Sequence, residues 1–258
     1  VSLGDMLRNK ERIIYIVNNP ILLHILFIVY HALAKLSKQF THYDLHPGNI
    51  MLYKPSETKY IKYIYHDATG GSPLEFNCQY VPKIIDYGRS FFDNGNLNSR
   101  KIYDRLCKEK DCKPKCGEKF GFTWLDPIPY LHISTSKKNE SHDLHALNDV
   151  NDILQYYITT KSNEYNNLSK CGKELMTVAN KVQYGIDLAP QLRQYGTIEN
   201  LKNDQTKIYN VTSAYKQLKN IIENTKGADG ADLFSKPEDC LGTLHVYDHA
   251  PMKFEIAK

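Results

Sequence analysis

The segment "IIYIVNNPILLHILFIVYHALAKL", residues 13–36, constrains this chain more than any other stretch. Pro20 suits the first turn of a helix, where its missing N–H costs nothing, and the residues after it predict one long helix over 20–38. Apolar side chains fall on most faces of that helix, so it needs protein around it rather than on one side only. A bilayer is the other environment that would satisfy it. Asn18, Asn19, His24, His31 and Lys35 interrupt the run, and its least interrupted part, Ile21 to Ala34, is too short to cross a hydrocarbon core. The expectation is a buried central helix, with His24 and His31 as core or interface histidines. At 258 residues, 41% apolar and 24% charged, the chain can supply the surrounding core.

Charge excludes some partners. Lys and Arg number 33 against 29 Asp and Glu, a net charge of +4. That gives no basis for nucleic acid or an anionic membrane surface as partner. No basic segment followed by an apolar stretch and a small-residue cleavage site opens the chain, so an intracellular, cytoplasmic setting is expected. The many Tyr, Asn, Lys and Ile residues match AT-rich coding, as in a microbe or a large DNA virus.

Directly after the long helix comes "THYDLHPGNIML", residues 41–52. Pro47-Gly48 is sufficient to turn the chain, yet His42, Asp44 and Asn49 stand around it at the offsets H-x-D-x-x-x-x-N. A short strand, "NIMLY", follows. "KYIKYIYH" (59–66) alternates as a strand does, "ATGGSP" (68–73) is a loop, and "VPKIIDYGRSFF" (81–92) reads as a second buried strand running into Asp86-Tyr87-Gly88. Helical periodicity also marks 3–10, 143–158, 163–184 and 205–225, and "TLHVY" and "MKFEI" near the end are candidate strands. The expected class is mainly α with short β-hairpins.

The paired motifs resemble the catalytic loop and the metal-binding Asp-aromatic-Gly segment of the protein-kinase-like fold, with the preceding helix and both strands in matching places. The resemblance covers residues 1–226 as the large lobe, with insertions at about 54–80 and 93–140; residues 227–258 fall outside it as an extension. It implies ATP and Mg²⁺ as cofactors. Asp44 would orient the attacking hydroxyl, while Asn49 and Asp86 would offer hard oxygens to Mg²⁺. Met51 and Ile85 would face the adenine, Gly88 would permit the turn, and His42 would be architectural. Asp143, in "SHDLHALNDV", would anchor the catalytic-loop backbone. His46 stands where protein Ser/Thr kinases carry a Lys, and "DLHPGN" is closer to aminoglycoside and choline kinases. The acceptor is therefore either a protein Ser/Thr or a small hydroxyl compound. The Gly-rich loop and Lys of the small lobe do not precede His42, so a truncated kinase and an inactive interaction scaffold both stand as expectations. Taken singly, Asp44, Asn49 and Asp86 also suit capped turns, and Asp143 the first turn of a helix.

"CKEKDCKPKC" places Cys107, Cys112 and Cys116 in a C-x4-C-x3-C array. With Cys78, His132 or His142 it could hold Zn²⁺; the alternative is a reduced loop with incidental thiols.

Overall fold

The computed structural model describes residues 1–37, 39–67, 71–87, 90–92, 96, 142–160, 165–184, 194, 200, 204, 206–226, 234–248 and 250–257. Three helices open the chain: α1 (Leu3–Arg8), α2 (Lys10–Asn18) and α3 (Ile21–Leu36). Ser2 caps α1 and exchanges hydrogen bonds with Asp5 in a capping box. The break at Asn9 is also a start, because its side chain accepts the Arg12 N–H and caps α2. α3 begins after Pro20 and buries His24, His31 and nine apolar residues on nearly its full circumference. Each large apolar side chain so enclosed contributes on the order of 2 kcal/mol, which makes α3 the axis of the molecule. Among the described residues, no single helix is long and apolar enough to cross a membrane.

The remaining elements wrap that axis. β1 (Phe40–Thr41) pairs with β6 (Phe91–Phe92), and β2 (Ile50–Tyr53) with β5 (Val81–Ile84), both antiparallel. β3 (Tyr60–His66) and β4 (Leu74–Cys78) form a hairpin. After the segment 93–141 come α4 (His145–Leu154), α5 (Lys170–Ala179) and α6 (Val211–Thr225), then β7 (Cys240–Tyr247) and β8 (Lys253–Ile256). β7 lies parallel to β3, giving a four-stranded sheet in the order β4-β3-β7-β8. β3 and β4, from within 54–80, are thus built into one sheet with β7 and β8.

That sheet closes over α3 through aromatic rings. Phe27 meets Tyr65 and Phe76 edge-on, and His24 stacks on Phe76 at 4.3 Å. Burial holds both histidines neutral, with the Lys35 charge adding to it at His31: His24 is pushed down to about 3 and His31 to about 4. Two expectations need correction. Helix takes about 50% of the described residues and strand 22%, so the class is mixed α/β rather than mainly α. β5 is not a buried strand: Lys83 is exposed and its neighbours are half-buried, because only one face of the β2–β5 pair meets the core.

Candidate functional site

The loop between α3 and β2 is pinned at its entrance by β1, where Phe40 and Thr41 pair with Phe92 and Phe91. His42 follows and is completely buried. Its Nδ1 accepts the Asp44 N–H at 3.3 Å, so the proton sits on Nε2, which donates to the Ile85 carbonyl at 2.9 Å. The ring is a strut between the loop and residues 85–86. Burial lowers its pKa, against the Ile85 bond and the nearby charges of Asp44 and Asp86, and the strut stays neutral.

Tyr43 takes a left-handed conformation, φ 64°, which costs a bulky residue about 1 kcal/mol. Asp143 holds it there. That carboxylate, 3% exposed, accepts the His42 N–H at 2.9 Å on one oxygen and the Tyr43 N–H at 3.0 Å on the other. Burial pushes its pKa up to about 7 despite the two bonds. Tyr30 of α3 fixes the anchor in turn: its hydroxyl donates to the Asp143 carbonyl (2.9 Å) and accepts the Leu147 N–H (3.1 Å). Leu147 lies in the first turn of α4, so the tyrosine also satisfies one of that helix's free donors.

The Pro-Gly turn closes on itself. The Asp44 carbonyl accepts the His46 N–H at 3.0 Å and the Asn49 side-chain amide at 2.9 Å. His46 caps the 3-10 turn Pro47–Asn49, its Nδ1 accepting the Gly48 N–H at 3.1 Å. A side chain at Gly48 would meet that imidazole at 2.8 Å, and one at Gly4 of α1 would come within 3.3 Å of the Gly48 nitrogen. Glycine at both positions is what lets the ring and α1 lie against the turn. Because the Asn49 NH₂ is committed to Asp44, its amide oxygen is fixed at the opposite end, with no hydrogen bond among the described residues.

The second segment is stitched to the first. The Ile85 N–H donates to the Asn49 carbonyl at 3.0 Å, extending the β2–β5 register by one residue. Asp86 comes next, exposed and left-handed at φ 63°. On the outward face of this strand pair Met51 is 36% and Ile85 39% exposed, beside Tyr53 and with Lys83 Nζ 5.6 Å from the Tyr53 ring centre. The structure therefore gathers His42, Asp44, His46, Asn49, Met51, Ile85, Asp86 and Asp143 around one turn and one strand pair.

His145 belongs to this neighbourhood and the sequence reading passed over it. Its ring lies 6.4 Å from that of His46, and its Nε2 is 3.2 Å from Asp149. The Asp149 bond raises its pKa, with Asp44 adding to the effect. The signal was the pair His145 and Asp149, four residues apart on a helix.

Gly88, Cys107, Cys112, Cys116, His132 and the side chain of His142 lie outside the described residues. Cys78 is unsuited to a zinc site: it is buried within the core, and burial pushes its thiol up to about 12. Among the described residues no three His, Cys, Asp or Glu side chains converge as a metal site. Mg²⁺ sites of the phosphate-bridging kind use only one or two protein carboxylates, fewer than such a group of three. The chain matches no family model, no curated protein and no solved structure.

Proposed function

We propose that this turn is the catalytic loop of an ATP- and Mg²⁺-dependent phosphotransferase, with residues 1–226 in the role of a kinase-like large lobe. The observation that carries the reading is the orientation of Asn49. A capped turn needs its NH₂ bonded to Asp44 but has no use for an amide oxygen left without a hydrogen bond among the described residues, on a residue whose backbone carbonyl holds Ile85, next to Asp86. Phosphoryl transfer needs that oxygen, because it depends on charge neutralisation and positioning more than on covalent chemistry. Bound by Asn49 and Asp86, Mg²⁺ would supply charge to the phosphate oxygens.

The chain's own groups take the remaining roles. Asp44 accepts a hydrogen bond from the acceptor hydroxyl and aims it. His42 fixes the spacing between Asp44 and Asp86, and Asp143 fixes the backbone of both residues before Asp44. Met51 and Ile85 offer an apolar face to the base. His46, whose Nδ1 is used by the turn, retains an Nε2–H, and His145, its pKa raised by the Asp149 bond, places a second imidazole close by. These two imidazoles stand in for the absent Lys as donors to the transferred group. Acceptors are a protein Ser/Thr or a small hydroxyl compound.

The test is nucleotide binding with and without Mg²⁺. Asp86→Asn keeps a residue that tolerates the left-handed conformation and removes the charge. It should lose Mg²⁺-dependent ATP affinity by tenfold or more, while the unfolding midpoint stays put. Equal affinity in variant and parent would reject the role, and phosphate transfer surviving Asp44→Ala would reject the mechanism.

A further inference from the structure

The four-stranded sheet extends beyond the helices that cover it. In the parallel pairing of β3 with β7, Tyr63 stands beside Leu244 and Tyr65 beside Val246, so these β7 residues share the face that packs on α3. Phe254 of β8 is opposite Leu244, and Ile256 opposite Gly242, which carries the same face outward to the sheet's edge. There it is uncovered: Met252 is 67%, Phe254 48% and Ile256 78% exposed. β8 has no partner on its outer side among the described residues. The Ala257 N–H donates inward to Leu241 at 3.1 Å. By the alternation of an antiparallel ladder, residues 253 and 255 also bond inward, and 252, 254 and 256 present N–H and C=O to the outside.

That edge is complementary to itself. Read from either end, Met252-Lys253-Phe254-Glu255-Ile256 runs apolar, charged, aromatic, charged, apolar, with the two charges opposite in sign. We propose that β8 docks on β8 of a second copy of this chain, antiparallel about a two-fold axis at Phe254, joining two sheets into one of eight strands. In that register Phe254 faces Phe254, Met252 faces Ile256, and Lys253 faces Glu255, twice. Residues 252, 254 and 256 are also the ones whose backbone groups point outward, so the hydrogen-bonding phase agrees with the side-chain match. A two-fold interface requires such self-complementarity. A charged residue within an edge strand normally blocks pairing. Here Lys253 blocks any strand that lacks an acid opposite it and admits its own copy. Gly242 shapes the edge, since a side chain there would strike the Phe254 ring at 2.7 Å.

Sedimentation of the full chain over a range of concentrations, with two variants, tests this. The parent should form a dimer. Glu255→Lys sets lysine against lysine twice and should weaken association about tenfold or more. Lys253→Glu does the same with glutamates, and mixing the two variants sets lysine against glutamate at both positions and should restore association; each variant breaks the 2.7 Å Lys253–Glu255 pair within the chain, so that loss is shared. A parent chain that stays monomeric into the high micromolar range overturns the proposal. A dimer indifferent to Glu255→Lys, or a mixture that associates no better than either variant alone, overturns it too.

Discussion

Replacing Asp143 by Asn separates the two forces acting on the loop anchor, and pH is the variable that does it. The carboxylate sits in a dry environment, its pKa raised from 3.8 to about 7, while accepting two backbone N–H groups. A carboxyl whose pKa is higher folded than unfolded binds its proton more tightly in the native state. Its contribution to stability is therefore complete below about pH 4 and is lost as pH rises to about 7. At about 1.4 kcal/mol per pH unit, the loss across that window is about 4 kcal/mol. Asparagine has no such titration. Its one oxygen can accept only one of the two N–H groups, and its NH₂ meets the other as donor against donor, a defect of about 1–3 kcal/mol at every pH. At pH 4 the parent is the protonated acid, whose hydroxyl oxygen still accepts the second N–H weakly, so it should be the more stable protein by up to that amount. By pH 8 the order should reverse, because about 4 kcal/mol lost exceeds the defect, and the two curves should cross in between. Urea unfolding followed by circular dichroism, repeated from pH 4 to 8 on both proteins, measures this. Subtracting one curve from the other removes the titrations of His24 and His31, which the two proteins share. A difference that does not change with pH would refute the account of Asp143 as a desolvated anchor.

Two further outcomes are expected. Gly4→Ala gains roughly 1 kcal/mol of helix propensity but presses a methyl to 3.3 Å from the Gly48 nitrogen, where overpacking costs about 1–3 kcal/mol. Stability should fall by no more than about 2 kcal/mol in denaturant titration, while Mg²⁺-ATP affinity falls with the displaced turn; unchanged affinity would show that α1 does not support it. His24, with its pKa lowered to about 3 by burial, contributes stability above about pH 6.5 that is lost as pH falls toward 3, about 5 kcal/mol in all. His24→Phe should flatten the acid limb of the stability curve and cost about 1 kcal/mol at neutral pH for the donor lost to the Asn77 carbonyl; an acid limb as steep as the parent's would contradict it.

What could be read from the sequence divides by distance along the chain. α3 was legible because an apolar run opened by Pro20 has few other homes, and β3, β7 and β8 because alternation or an apolar run between turn residues marks a strand. α2 was missed: the reading ended a helix at Lys10, whereas Asn9 ends one helix and caps the next, and a cap of that kind serves both purposes without a distinguishing residue. The pairing of β3 with β7 was not legible either. Backbone hydrogen bonds are the same for every strand, so nothing in Tyr60–His66 names Cys240–Tyr247 as its partner.

The candidate site obeys the same rule, and this bears on its chemistry. The bonds that shape residues 42–49 join groups no more than five residues apart, such as Asn49 to Asp44, so their offsets are visible as a motif. The bonds that hold the shape in place run to Ile85 and Asp143, the latter a hundred residues or more along the chain. No local pattern expresses that span. Two features fell between these scales. The left-handed Tyr43 exists because Asp143 collects both N–H groups that a left-handed turn brings side by side, a cause remote from Tyr43 itself. His46 was read as standing in the place of a Lys, yet its Nδ1 serves the turn, and only Nε2 is left for chemistry. The loop's geometry is thus written locally and its rigidity remotely, so changes at Asp143 or Tyr30 should alter what Asp44 and Asn49 can do without touching either.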